Sequence, residues 1–144
     1  MKKEKSEIAS KLKKDDELVD LLASNSSWYN KSGSSAKTNS IIPAFKSYGE
    51  MSTPFITIQG GTESRSWENM REQNIYVRCY NDIKKSYVKI DEISERIRTV
   101  LDKAELSLSP NILVKIRYEF TTQETLDDEL NLNFKELRFR LLLL

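Results

Sequence analysis

Cys79 is the single thiol of this chain, and no histidine stands anywhere in the sequence to take its proton. That absence removes the commonest general base, the Ser-His and Cys-His pairs, and the usual zinc-ligand patterns together. Within NIYVRCY, Asn74 to Tyr80, the cysteine shares a side with Ile75 and Val77, which is where a small buried thiol sits rather than a nucleophile. The carboxylate run Asp127, Asp128 and Glu129 offers hard oxygen ligands without the spacing of a calcium loop, and reads as a solvated interstrand loop. Gly60 and Gly61 lie in neither GxxxxGK[ST] nor GxGxxG, so they read as the turn that ends a strand. The chain is therefore expected to be no enzyme, with no catalytic residue, no metal and no cofactor.

Surfaces remain. Tyr76, Arg78 and Tyr80 alternate with the small apolar side of NIYVRCY, and with Lys84 and Lys85 close by they could stack single-stranded nucleic acid. Lysine plus arginine (23) nearly cancel aspartate plus glutamate (22), with the signs interspersed, so no bulk field draws the chain to phosphate or lipid. A protein interface rich in tyrosine and arginine suits this face better. Trp28 and Tyr29, which interrupt the polar run SNSSWYNKSGSSAKTNS, and Arg65 with Trp67 are further candidates for partner contact.

The elements that must position these residues follow from apolar spacing. With 144 residues, 38% hydrophobic and 31% charged, the chain reads as one globular domain over 1–144. Its opening, MKKEKSEIASKLKK, has no apolar stretch to make a signal peptide, which favours an intracellular protein. Ile8 and Leu12, then Leu18, Val19, Leu21 and Leu22, predict two short helices separated by KKDD, with Asp15 or Asp16 capping the second. A flexible loop is expected over about 24–40, followed by IIPAF as an edge or extended entry because of Pro43. TPFITIQ and NIYVRCY alternate as strands. Tyr87, Ile90, Ile93, Ile97, Val100, Leu101 and Ala104 predict a helix over Tyr87 to Glu105, with Ser86 as its cap and Glu92 four residues before Arg96 on the solvent side. NILVKIRYEF, which puts Phe120 on the side of Val114 and Ile116, and FKELRFRLLLL predict an antiparallel pair. The expected class is α+β: a mainly antiparallel sheet of about four to five strands with helices packed on one face.

The closing leucines test this scheme. A membrane helix needs ~20 apolar residues, and this run of four follows Arg138 and Arg140, so the tail is expected to be a paired strand. Its odd side, Leu137 to Leu143, goes to the core. Leu142 and Leu144 then need a second cover, from loops of the same subunit or from a neighbouring copy.

From Ile8 onward, the succession LKKDDELVDLL, IIPAF, TPFITIQ, NIYVRCYN, KIDEISERIRTVLDKAEL and a closing pair ending in KELRFRLLLL resembles the tail-completion or tail-terminator proteins of long-tailed bacteriophages. The resemblance implies an α+β subunit that assembles with itself as a ring, typically a hexamer, at the head-proximal end of the tail tube. Such a ring stops tail-tube protein from polymerising and joins the tail to the head-tail connector protein. Its place would be the neck region of the virion tail after assembly in the host cytoplasm, with DNA only passing through the lumen and no membrane partner. The acidic stretch 121–133, with Glu124, Asp127, Asp128 and Glu129, would suit that lumen through repulsion. The alternatives are another neck protein such as a head-closure component, a small adaptor, or a single-stranded nucleic-acid-binding module.

Overall fold

The apolar spacing at the start of the chain folds into α1 (Lys2–Lys13) and α2 (Asp16–Ser24) in the computed structural model, which describes residues 2–24, 41–42, 54–66, 70–82, 87–109, 112–129 and 131–143. Asp15 is the cap between the two helices: its Oδ2 accepts the N–H of Leu18 at 3.0 Å. The same carboxylate accepts from Nε and Nη2 of Arg96 at 2.8 and 2.6 Å, and Nη1 of Arg96 reaches Glu17 at 3.0 Å. The break in the apolar stripe thus fastens α2 to the third helix, α3 (Tyr87–Leu101). Arg96 serves that junction, in place of the Glu92 pairing that sequence spacing suggests.

Helix α3 stops short of Glu105. Lys103 takes a left-handed backbone (φ 65°) and donates its N–H to the carbonyl of Ile116 at 2.9 Å, so the helical ladder ends there. The chain passes directly into a short strand, Glu105–Ser109, that the helical period of Ala104 conceals.

In chain order the strands are β1 (Ile41–Ile42), β2 (Phe55–Ser66), β3 (Met70–Asp82), β4 (Glu105–Ser109), β5 (Ile112–Thr121), β6 (Thr125–Asp127) and β7 (Leu132–Leu143). They form one sheet of order β1-β2-β3-β7-β5-β4, with β6 added on β7. Among the described residues, only β1 runs parallel to its neighbour. The α+β class holds, and three short strands join the four long ones that alternation predicts. The acidic interstrand stretch, expected to be all loop, contributes β6.

Register sorts the two faces. Ile58, Val77 and Leu137 stand side by side across three strands, as do Ile75, Phe139 and Tyr118. All but the partly buried Tyr118 are at 1% exposure or less, in a cluster with Ile8, Leu12, Leu18 and Leu22 of the first two helices and Ile93 and Ile97 of α3. Each such side chain withdrawn from water contributes about 1.5–3 kcal/mol before ordering costs. The closing leucines are therefore extended and paired, with Leu137 and Leu141 in the core, while Leu144 lies outside the described residues.

Strand β5 departs from its predicted alternation. A bulge between Tyr118 and Phe120 moves Phe120 to the face away from the helices, where it is 44% exposed. Tyr118 stays under α3: Arg98 lies over its ring at 4.2 Å, its N–H donates to Asp102 Oδ1 at 3.1 Å, and its hydroxyl bonds Thr121 Oγ1 at 2.6 Å.

Hydrogen bonding to Arg96, working against burial, holds the Asp15 carboxyl below its ordinary 3.8. Its contribution to stability is present above that ordinary value and is lost as pH falls through the lowered one. Asp15→Ala should cost about 1–2 kcal/mol at neutral pH by loss of the cap. In denaturant titrations the gap between variant and wild type should close on acidification, and a gap that persists in acid would contradict this role.

Candidate interaction surface on the far face of the sheet

Alternation sends Thr57 and Gln59 of β2, Tyr76 and Arg78 of β3, and Glu136 and Arg138 of β7 to the side away from the helices, and register gathers them in rows. Thr57, Arg78 and Glu136 form one row; Gln59, Tyr76, Arg138 and Phe120 form the next. Glu136 is 5% exposed. Its Oε1 accepts from Arg78 Nε and its Oε2 from Arg138 Nε, each at 2.9 Å. A carboxylate so far from water needs both cations, because one unpaired buried charge costs several kcal/mol. Its backbone is pinned as well: the Glu136 N–H donates to Thr122 Oγ1 at 3.1 Å, and the Thr122 N–H returns to the Glu136 carbonyl at 2.9 Å.

Aromatic rings wall the two guanidinium groups. Arg78 lies over Phe134 at 4.6 Å and donates Nη1 to the Tyr80 hydroxyl at 3.2 Å. Burial pushes the Arg78 guanidinium down, and its hydrogen bonds to Tyr80 and Glu136 outweigh this and hold it above its ordinary value. Arg138 lies over Tyr76 at 5.0 Å and over Phe120 at 4.9 Å. One row further, Arg140 Nε donates to Glu119 Oε1 at 2.6 Å.

Of the residues expected at an interface, Tyr76 and Arg78 are half-buried on this face and come together there. Tyr80 is fully buried, which corrects its placement as a partner contact. Its ring stacks on Phe55 at 4.8 Å and tilts against Phe134 at 5.4 Å, so that end of the face is a small aromatic core of the chain's own. Leu142 is half-buried on this face, level with Lys115. The backbone of Arg65 pairs with Arg71 in the β2–β3 ladder. Trp28, Tyr29, Trp67 and Leu144 lie outside the described residues.

Sequence reading missed Glu136, Arg138, Phe120 and Phe134 as members of this site. The alternation of Phe134, Glu136 and Arg138 with Leu137 and Phe139 was visible, but which cation meets which carboxylate depends on register, and Phe120 reaches this face only through the bulge in β5. Thr57, 1% exposed in the row of Arg78 and Glu136, has an Oγ1 with no hydrogen-bond partner. Cys79 is buried on the opposite face, and burial pushes its thiol far up, so it stays protonated.

Among the described residues, two clefts open on the helix side. One, of about 510 Å³, runs between α3 and the β5–β6 turn past Asp91, Glu95, Tyr118, Thr121 and Lys135, with an Asp91–Lys135 ion pair on its wall. Burial, then the nearby Asp91, raise the Glu124 carboxyl, with Lys135 and Asn133 pulling the other way. The other, of about 390 Å³, lies between α2 and α3 and is lined by Glu17, Leu21, Glu92, Glu95, Arg96 and Thr99. In the Asp127 to Glu129 run, Asp127 Oδ1 accepts the Glu129 N–H at 3.1 Å and so closes a turn. Among the described residues, no group of three or more His, Cys, Asp or Glu could hold a metal ion, and no helix is long and apolar enough to cross a membrane.

Two substitutions test the energetics of this face. Glu136→Gln leaves two partly exposed arginines without their shared anion and should cost about 1–3 kcal/mol in chemical denaturation, solvent moderating the loss. Thr57→Val removes a hydroxyl buried without a partner and should be neutral or stabilising by about 1 kcal/mol; a loss of that size would mean that the hydroxyl is bonded.

No protein-family model and no curated protein matches the chain. Among solved structures, a chain in the virion of a native gene transfer agent particle aligns with 96% of this chain and 92% of its own length, at 13% sequence identity and a TM-score of 0.68. The Dit protein of phage SPP1, a hub protein of the adsorption apparatus in phages infecting Gram-positive hosts, aligns with 61% of this chain and 40% of its own, at 15% identity and a TM-score of 0.29. The chain thus shares its fold, over nearly its whole length, with a chain found in a virion.

Proposed function

We propose that this chain is a structural protein of a phage or phage-like virion, acting as a tail terminator. The observation that carries this reading is the agreement of fold, over 96% of the chain, with a chain of the gene transfer agent virion. The order of sequence segments points to the same class. In this role the subunits close into a ring, typically a hexamer, on the head-proximal end of the tail tube. A ring built by head-to-tail contacts needs two different side surfaces on every subunit. The far sheet face with Tyr76, Arg78 and Leu142 is one candidate, and Trp28, Tyr29, Arg65, Trp67 and Leu144 are assigned to contacts with siblings, tube or connector. The acidic residues Glu124, Asp127, Asp128 and Glu129 face the lumen and keep passing DNA from adhering. The ring belongs to the neck region of the virion tail and is assembled in the host cytoplasm.

Light scattering of the purified chain, alone and with tail-tube subunits of the same particle, tests this. The expected result is a closed multiple of 16.7 kDa, six-fold for a hexamer, formed alone or on the tube, together with tubes that stop growing when it is added. Tubes that elongate unchecked, with no binding to their ends, would overturn the reading. Binding to the connector without binding to the tube would reassign the chain to head closure.

A further inference from the structure

Arg138 engages the rest of the chain through one nitrogen. Its Nε is held by Glu136 at 2.9 Å, and the rings of Tyr76 and Phe120 lie against the guanidinium at 5.0 and 4.9 Å. Its two terminal NH2 groups have no acceptor among the described residues, and the side chain is 41% exposed. The carboxylate and the two rings already restrict a side chain that would otherwise lose much freedom on binding. A planar fork held in this way matches a carboxylate by two parallel hydrogen bonds. Arg117, exposed and level with Arg140, adds positive charge to the same face.

The matching anions are on the other side of the molecule. Glu92 and Glu95, exposed and three residues apart on α3, line the cleft whose wall includes Leu21. The cation in that cleft, Arg96, is fully engaged: Nε and Nη2 on Asp15, Nη1 on Glu17. Arg96 is thus not available to Glu92 and Glu95, and no ion pair joins either glutamate to a cation among the residues whose side chains are described. The helices cover the face that carries Val77, Leu137 and Phe139, and Arg138 projects from the opposite one, so the two surfaces point away from each other. Opposite charges on opposite sides of one chain join copies head to tail, not in a two-fold pair.

We propose that Arg138, with Tyr76 and Phe120 at its flanks, docks into the cleft between α2 and α3 of a second copy and binds the Glu92 and Glu95 carboxylates there. The proposal rests on the reading of the chain as a self-assembling virion protein. A nucleic-acid backbone fits this face less well. Arg78 and Arg138 already share Glu136, and Arg140 has Glu119, which leaves few cations to release phosphate counterions.

The test uses the full chain with tail-tube subunits, followed by analytical ultracentrifugation at low and physiological salt. Arg138→Glu and Glu95→Arg should each weaken association of copies about tenfold or more. The chain carrying both changes should recover, because each contact then pairs the exchanged charges. Circular dichroism and a thermal scan check folding. If Arg138→Glu unfolds, Glu95→Arg alone decides, since Glu95 is exposed and away from the Glu136 network. Wild type that assembles, with both single variants assembling equally well, would overturn this contact and leave the proposed function standing. Wild type that stays monomeric with and without tube subunits would overturn the function and the contact together. Salt-sensitive DNA binding abolished by Arg138→Glu, with assembly of copies unchanged, would assign the fork to phosphate and overturn the proposal.

Discussion

The hydrogen-bonded placement of β7 between β3 and β5 is the constraint on which the rest of this structure depends. The strand has three neighbours, because β6 pairs with its first residues where β5 has ended. Its odd positions deliver Leu137, Phe139 and Leu141 to the core, and its even positions deliver Glu136, Arg138 and Arg140 to the far face. A slip of one residue would exchange these sets, placing arginine under α3 and leucine in water. Burial of the leucines and pairing of Glu136 with two arginines therefore select the same register.

The helix layer repeats this economy with other groups. Asp15 caps α2 and holds Arg96 of α3, so a single carboxylate defines both a helix boundary and the packing of two helices. Because Arg96 is used up in that junction, the neighbouring glutamates of α3 are left to solvent. On the far face the reverse holds, since Glu136 satisfies one nitrogen of each arginine and leaves the remainder of Arg138 open. Nearly zero net charge thus conceals local differences, with arginines and aromatic rings on the far sheet face and the glutamates Glu92 and Glu95 exposed on α3. The two surfaces are unlike, which is what the proposed head-to-tail contact between copies requires.

Residue types along the chain were enough to determine much of the scaffold. Period-two spacing marked β2, β3, β5 and β7, three-and-four spacing marked α3, and the polar break marked the start of α2. These signals are local, since a residue's tendency to face the core is set by its own hydrophobicity and by neighbours a few positions away. The placement of Cys79 among apolar neighbours was legible for the same reason. What a local period could not register was its own interruption. The strand β4 hid behind Ala104 because the left-handed turn at Lys103 depends on the distant carbonyl of Ile116. Phe120 changed faces because a bulge in β5 adds one residue against β7.

The candidate interaction surface was decided by the tertiary structure. Arg78 and Glu136 are 58 residues apart, and Asp15 and Arg96 are 81 apart. Composition names the charges without saying which will meet. Tyr80 looked like its neighbours Tyr76 and Arg78 in sequence, yet Phe55 and Phe134 from adjacent strands enclose it. Alternation determines only the side of the sheet to which a residue points. Whether that side is covered, and by which partner, follows from strand order and register, which arise from the packing of the whole chain.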